Sequence, residues 1–167
     1  PKLWRDAQSM FRLPWLEPSW RQKRHIVLYL SRSKGTRNSG RNVVNESELI
    51  ESIRPFVEAR KYEFVVFNSH QYGTVDELFE FLANVDVIMG PHGGAFYNMC
   101  FMRRGTTVIE FMPQAPSFHV MAYAVHLIFY LQASLLGDKY YSVVSGGHGT
   151  NMNVDIEVVK EILKASL

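Results

Sequence analysis

Gly90-Pro91-His92-Gly93-Gly94-Ala95 ends one apolar run and opens another, and no other stretch of the chain is better suited to hold an anion. Glycines let a ligand approach the backbone closely, and free N–H groups at a helix start favour negative charge. His92 adds a ring that can hydrogen-bond a phosphate or a developing negative charge. On this turn alone, a tight strand-to-helix connection whose histidine merely caps the helix explains the residues equally well. Two further groups bear on the choice. Ser31-Arg32-Ser33-Lys34 follows an earlier apolar run, and Glu110 lies within a later one. Guanidinium and ammonium groups neutralise a diphosphate, and a carboxylate can accept both hydroxyls of a ribose. Each has a plain alternative: Glu110 in a salt bridge with Arg103 or Arg104, Arg37 and Arg41 on a solvated loop, Arg41 paired with Glu46. Convergence of the three groups on one sheet edge would favour a nucleotide-diphosphate site. Both Arg32 and His92 are then expected to point into a solvated cleft.

The elements that must position these residues follow from the pattern of apolar positions. With 47% hydrophobic, 20% charged and 13% aromatic residues, the 167-residue chain has the balance of a folded domain, long enough for one core without staples. The single cysteine, Cys100, excludes an internal disulfide framework and a cysteine-based zinc site. His25 to Ser31 reads as a strand buried on both faces, followed by a polar loop from Arg32 to Val44. Asn45 opens a helix with a capping-box spacing to Glu48, and Pro55 is expected to kink or shorten it. Phe64–Phe67 and Val85–Met89 are the next strands, separated by a helix with a second capping-box spacing, Thr74 to Glu77. A short helix over Phe96–Met102 and a strand over Thr107–Phe111 follow. Beyond these the pattern predicts a helix near Phe118–Val125, a strand near Leu127–Leu131, a Gly-rich loop from Ser145 to Gly149 and a last helix capped by Asp155. Alternating strands and helices imply an α/β fold with a Rossmann-like parallel sheet and flanking helices.

Charge is distributed unevenly under a formal total of +2. Arg21 to Arg41 holds seven Lys/Arg and no acid, whereas Asn45 to Asp86 holds nine acids against three bases. Residues 111–137 carry no Asp, Glu, Lys or Arg, but prolines, histidines and glutamines interrupt them and argue against a membrane span. Residues 1–20 hold three Trp and three Pro with no period and read as a lead-in segment that packs on something, or as the remnant of an interdomain junction. The chain opens without Met or a signal-type apolar core, and reads as a segment or processed product.

Taken in order, Ser31-Arg32, Arg41, Asn45-Glu46-Ser47-Glu48-Leu49, Gly90-Pro91-His92-Gly93, Asn98, Phe101-Met102, Gly105 and Glu110-Phe111-Met112-Pro113 resemble the catalytic region of glycosyltransferase family 61. The resemblance covers roughly residues 25–131. The family commonly has Ala where Gly94 stands and Leu-Thr where this chain has Phe96-Tyr97. The resemblance implies the carboxyl-terminal, nucleotide-sugar-binding half of a GT-B enzyme, with residues 21–167 as that domain and a further domain on its amino-terminal side. It implies transfer from a nucleotide-sugar donor, a UDP-sugar, to a glycan or glycoprotein acceptor, with inversion, no cofactor and no bound metal. Ser31, Arg32, Arg41, Gly90, His92, Gly93, Gly94, Ala95, Asn98 and Glu110 are the substrate-binding residues it implies, with His92 an electrostatic catalytic group. Asp76, Glu77 and Asp86 read as cap or surface residues, which leaves the general base unassigned. A secretory-pathway setting, in the Golgi or endoplasmic reticulum lumen, is implied by resemblance alone. No nucleic-acid partner and no membrane contact from this segment are expected. The main alternative is a non-catalytic nucleotide- or partner-binding module. A small dinucleotide enzyme is disfavoured, because no G-x-G-x-x-G follows the first strand.

Overall fold

Five short apolar runs meet as neighbouring parallel strands in the computed structural model, which describes residues 2–32, 41–67, 71–114, 127–146 and 151–167. The strands are β1 (Ile26–Tyr29), β2 (Glu63–Val66), β3 (Val85–Pro91), β4 (Thr107–Pro113) and β5 (Lys139–Ser145), in the order β2-β1-β3-β4-β5. All four pairings are parallel, with β3 and β4 in register from Val87↔Thr107 to Pro91↔Phe111. The chain is thus α/β and Rossmann-like, as its pattern predicts. Order reverses between β1 and β3, which makes the carboxyl ends of those strands the topological switch point where open α/β sheets hold ligands.

Alternation along the strands feeds two cores, one on each face. Val27, Tyr29, Val87, Met89, Ile109 and Phe111 pack with α2 (Glu46–Glu58) and with the last helix, Ile156–Ser166. Ile26, Leu28, Ile88 and Val108 pack on the other face. They meet α3 (Val75–Leu82), a 3₁₀ segment (Gly94–Phe101) and α4 (Leu127–Leu136), so the last helix is α5. Thr74 caps α3 as expected: its hydroxyl accepts the Glu77 N–H and its own N–H reaches Glu77 Oε2, both at 3.2 Å. Asp155 caps α5, accepting the Glu157 and Val158 N–H groups.

Several expectations are corrected. Asn45 makes no capping box with Glu48; its amide instead donates to Val154 O and accepts from Val154 N, both at 2.9 Å. Helix α2 runs on through Pro55 to Glu58. Pro55 and Glu51 are both exposed, so the carbonyl that loses its intrahelical bond can meet water. Residues 127–131 are the start of α4 and not a strand, because Phe129, Gln132, Ala133 and Leu136 form a buried stripe at helical spacing. The fifth strand is β5, half-exposed at the sheet edge and not assigned from the sequence. Residues 2–9 form a helix, α1. The lead-in segment packs on this chain itself: Gln8 Nε2 donates to Cys100 O, Trp15 Nε1 donates to Phe101 O, and the Phe11 ring meets Phe79 and Phe101 edge-on. The expected helix near 118–125 and most of the loop expected at 145–149 lie outside the described residues.

Candidate active site

At the switch point the end of β3 is drawn against the end of β1. Leu30 N–H donates to Met89 O at 2.8 Å, and Gly90 sits at φ 150°. A Cβ at Gly90 would lie 2.7 Å from Leu30 O and 2.9 Å from Leu30 Cβ, so only glycine fits. Two residues on, His92 N–H donates to Phe111 O at 3.0 Å and ties the turn to β4. Gly93 then opens the 3₁₀ segment, and a Cβ built on it would land on Arg32 Nη1. The Arg32 guanidinium therefore lies directly against the Gly93 backbone. Burial first, then the nearby positive charge of Arg41, lowers the Arg32 pKa. Gly94 and Ala95 are exposed, and a Cβ at Gly94 would meet nothing within 4 Å. Of the residues singled out from the sequence, Arg32, Arg41, Gly93 and the following turn thus come together.

His92 departs from its expected setting. It is 5% exposed and not in a solvated cleft; its Nδ1 is hydrogen-bonded to Glu110 Oε1 and its ring lies 5.2 Å from that of Phe129. Glu110 has 0% exposure, and its second oxygen accepts from the Tyr140 hydroxyl at 2.5 Å. A fully buried carboxylate with both oxygens engaged is not disposed to receive ribose hydroxyls, so the sequence-based role for Glu110 is revised to holding His92. Its alternative partner, Arg103, is occupied at the other end of the sheet with Ala83 O and Asp86. Tyr140 was missed because the strand that carries it was missed.

Ser31 is held from the opposite face. Its hydroxyl and that of Tyr29 donate to the same oxygen of Glu46, at 2.9 Å and 2.8 Å. Glu46 is in the first turn of α2, where the helix dipole favours a carboxylate. Asn98 acts within its own segment, donating to Ala95 O at 2.8 Å. Asp138, whose carboxyl burial pushes up to about 7, would attract attention as a proton acceptor. It accepts from Thr106 N–H just before β4 and so lies at the amino-terminal edge, across the sheet from the turn. A groove of about 760 Å³ lined by Lys23, Arg24, Glu63, Tyr72 and Phe81 also lies away from the turn, beside β2.

A basic group against a glycine turn at a switch point can neutralise a diphosphate with a guanidinium and with backbone N–H dipoles. No curated protein matches the chain. The profile of the family described as Glycosyltransferase 61 matches residues 5–109, from α1 into β4, beginning upstream of the residues that carry the sequence resemblance and stopping one residue short of Glu110. By that match across more than half of its length, the chain belongs to the glycosyltransferase 61 family.

Proposed function

We propose that this chain binds the nucleotide-sugar donor of an inverting, metal-independent glycosyltransferase that moves a hexosyl or pentosyl group from a UDP-sugar to a glycan or protein acceptor. The observation that carries this reading is the Arg32 guanidinium seated against Gly93 at the switch point, with Arg41 close by. Guanidinium groups and the turn amides together can neutralise a diphosphate. In the transfer step the acceptor oxygen bonds the anomeric carbon on the face opposite the diphosphate. The bond from that carbon to the diphosphate oxygen breaks, and its electron pair leaves with the nucleotide. Arg32, Arg41 and the N–H groups of Gly93 to Ala95 are proposed to stabilise that charge, fixed in place before the reaction. The acceptor proton passes to a base that we place on a second, acceptor-side domain, since Glu110 has no exposed surface. Action in the secretory pathway belongs to the same reading.

Calorimetry with UDP in the presence of EDTA tests it. Binding is expected to persist without divalent metal, and Arg32→Ala is expected to weaken it about tenfold to a hundredfold, the worth of a charged hydrogen bond. Binding that requires Mg²⁺, or survives Arg32→Ala unchanged, overturns the proposal. A donor-turnover assay on this chain and on an amino-terminally extended one, each with a panel of acceptors, tests the half-enzyme reading. Only the extended chain is expected to turn over, because positioning the acceptor supplies ~7–11 kcal/mol of such barriers.

A further inference from the structure

We infer that Tyr140 is a positioning residue for the nucleotide site, acting through Glu110 on His92; the inference rests on the proposed donor site. The three residues come from three consecutive parts of the sheet. His92 follows β3, Glu110 is inside β4, and Tyr140 is near the start of β5. Glu110 is wholly removed from water, and a carboxylate in that position is tolerated only when donors reach its oxygens. One donor is the His92 ring and the other the Tyr140 hydroxyl. Burial, then the Glu110 charge, raises the Tyr140 pKa, so the hydroxyl remains a donor.

The consequence falls on the imidazole. With Nδ1–H given to Glu110, any contact between this ring and a phosphate oxygen is made by Nε2. Ring orientation is then fixed by two strands, with Phe129 of α4 against the ring. A turn of consecutive glycines has little stiffness of its own, so an anchor reaching it from β4 and β5 holds it in one geometry before the ligand arrives. Removing the Tyr140 hydroxyl leaves one Glu110 oxygen without that donor and lets the carboxylate rotate away from the ring.

The test compares the full chain with Tyr140→Phe, which keeps the ring that packs 5.6 Å from Tyr130. Ring ¹⁵N and ¹H resonances of His92 are recorded without nucleotide, and UDP affinity is measured by calorimetry. In the parent chain the ring is expected to be protonated at Nδ1 with a downfield Nδ1–H signal. Tyr140→Phe is expected to move or broaden that signal and to weaken UDP binding roughly threefold to tenfold. Tyr130→Phe, which removes a hydroxyl outside the relay, is expected to change neither. Unchanged His92 signals and UDP affinity in Tyr140→Phe overturn the inference, and so does a parent ring unprotonated at Nδ1, a result that needs no variant. If neither protein binds UDP, the donor-site reading fails, while the ring resonances still decide whether Tyr140 positions His92.

Discussion

The two edges of the sheet both carry ionisable groups and arrange them in different ways. At the amino-terminal edge Asp86 accepts from Gln22 and pairs with His25 at 3.0 Å and with Arg103 at 2.6 Å. Nearby Arg24 pairs with Glu63 and Lys23 with Glu80, both largely in solvent. These acids and bases answer one another directly. At the carboxyl-terminal edge hydroxyls and an imidazole hold the half-buried Glu46 and the fully buried Glu110: Tyr29 and Ser31 on Glu46, Tyr140 and His92 on Glu110. Arg41 is near enough for its charge to act on Arg32. The first arrangement pairs acid with base, and the second holds its carboxylates with neutral hydroxyls and an imidazole beside the glycine turn.

Removing one member of a pair at each edge is the strongest way to break this contrast. His92→Ala leaves a fully buried carboxylate short of a partner and is expected to cost roughly 3–5 kcal/mol in urea unfolding. Arg103→Ala, at a partly exposed pair, is expected to cost about 1 kcal/mol. Equal losses would show that burial of the carboxylate does not distinguish the edges.

A second pair sharpens the contrast within the turn. Gly90→Ala forces a Cβ onto the Leu30 backbone at a φ that L-residues rarely adopt, and is expected to lower stability by about 1–3 kcal/mol. Gly94→Ala enters open space and is expected to stay within about 0.5 kcal/mol. Thermal unfolding separates them. A harmless Gly90→Ala would mean that β1 and β3 need not approach so closely.

The smallest expected effect is a pH dependence at the amino-terminal edge. Burial raises the Asp138 carboxyl from 3.8 to about 7, against the N–H groups of Thr106 and Gly105 and the charge of Arg104, which lower it. Between those two values the folded chain holds a proton that the unfolded chain has released. The contribution of this group is therefore fully present below about pH 4 and is lost as pH rises to 7. Asp138→Asn is expected to remove that slope and to gain on the order of 1 kcal/mol relative to the parent between pH 6 and pH 8. Parallel stability–pH curves for the two proteins would contradict it.

Most of the sheet was legible because buried parallel strands are continuous apolar runs, as in Ile26–Tyr29 and Val85–Pro91. What failed has a physical cause. Residues 127–136 are apolar on both faces, so their composition does not separate strand from helix; only the Phe129, Gln132, Ala133, Leu136 spacing does. Strand β5 alternates weakly because it lies at an edge. The residues of the candidate site could be found one at a time, since glycines beside a histidine and a basic run are local signals. Their partners could not: that Glu110 turns inward to His92 and Tyr140 depends on which face of β4 it occupies and on a strand that was not assigned.

The bracket formed by the Asn45 amide on Val154, with the bridge of Val43 to Met152 beside it, reaches beyond stability. It clamps the chain just after Arg41, as β1 clamps it just before Arg32. Changes in the length and composition of the sequence between the two arginines are therefore expected to leave both in place. Doubling such a connection costs only about 0.6 kcal/mol in closure entropy. Evolution, or a designer, can therefore rewrite that sequence while the two clamps on either side of it stay where they are.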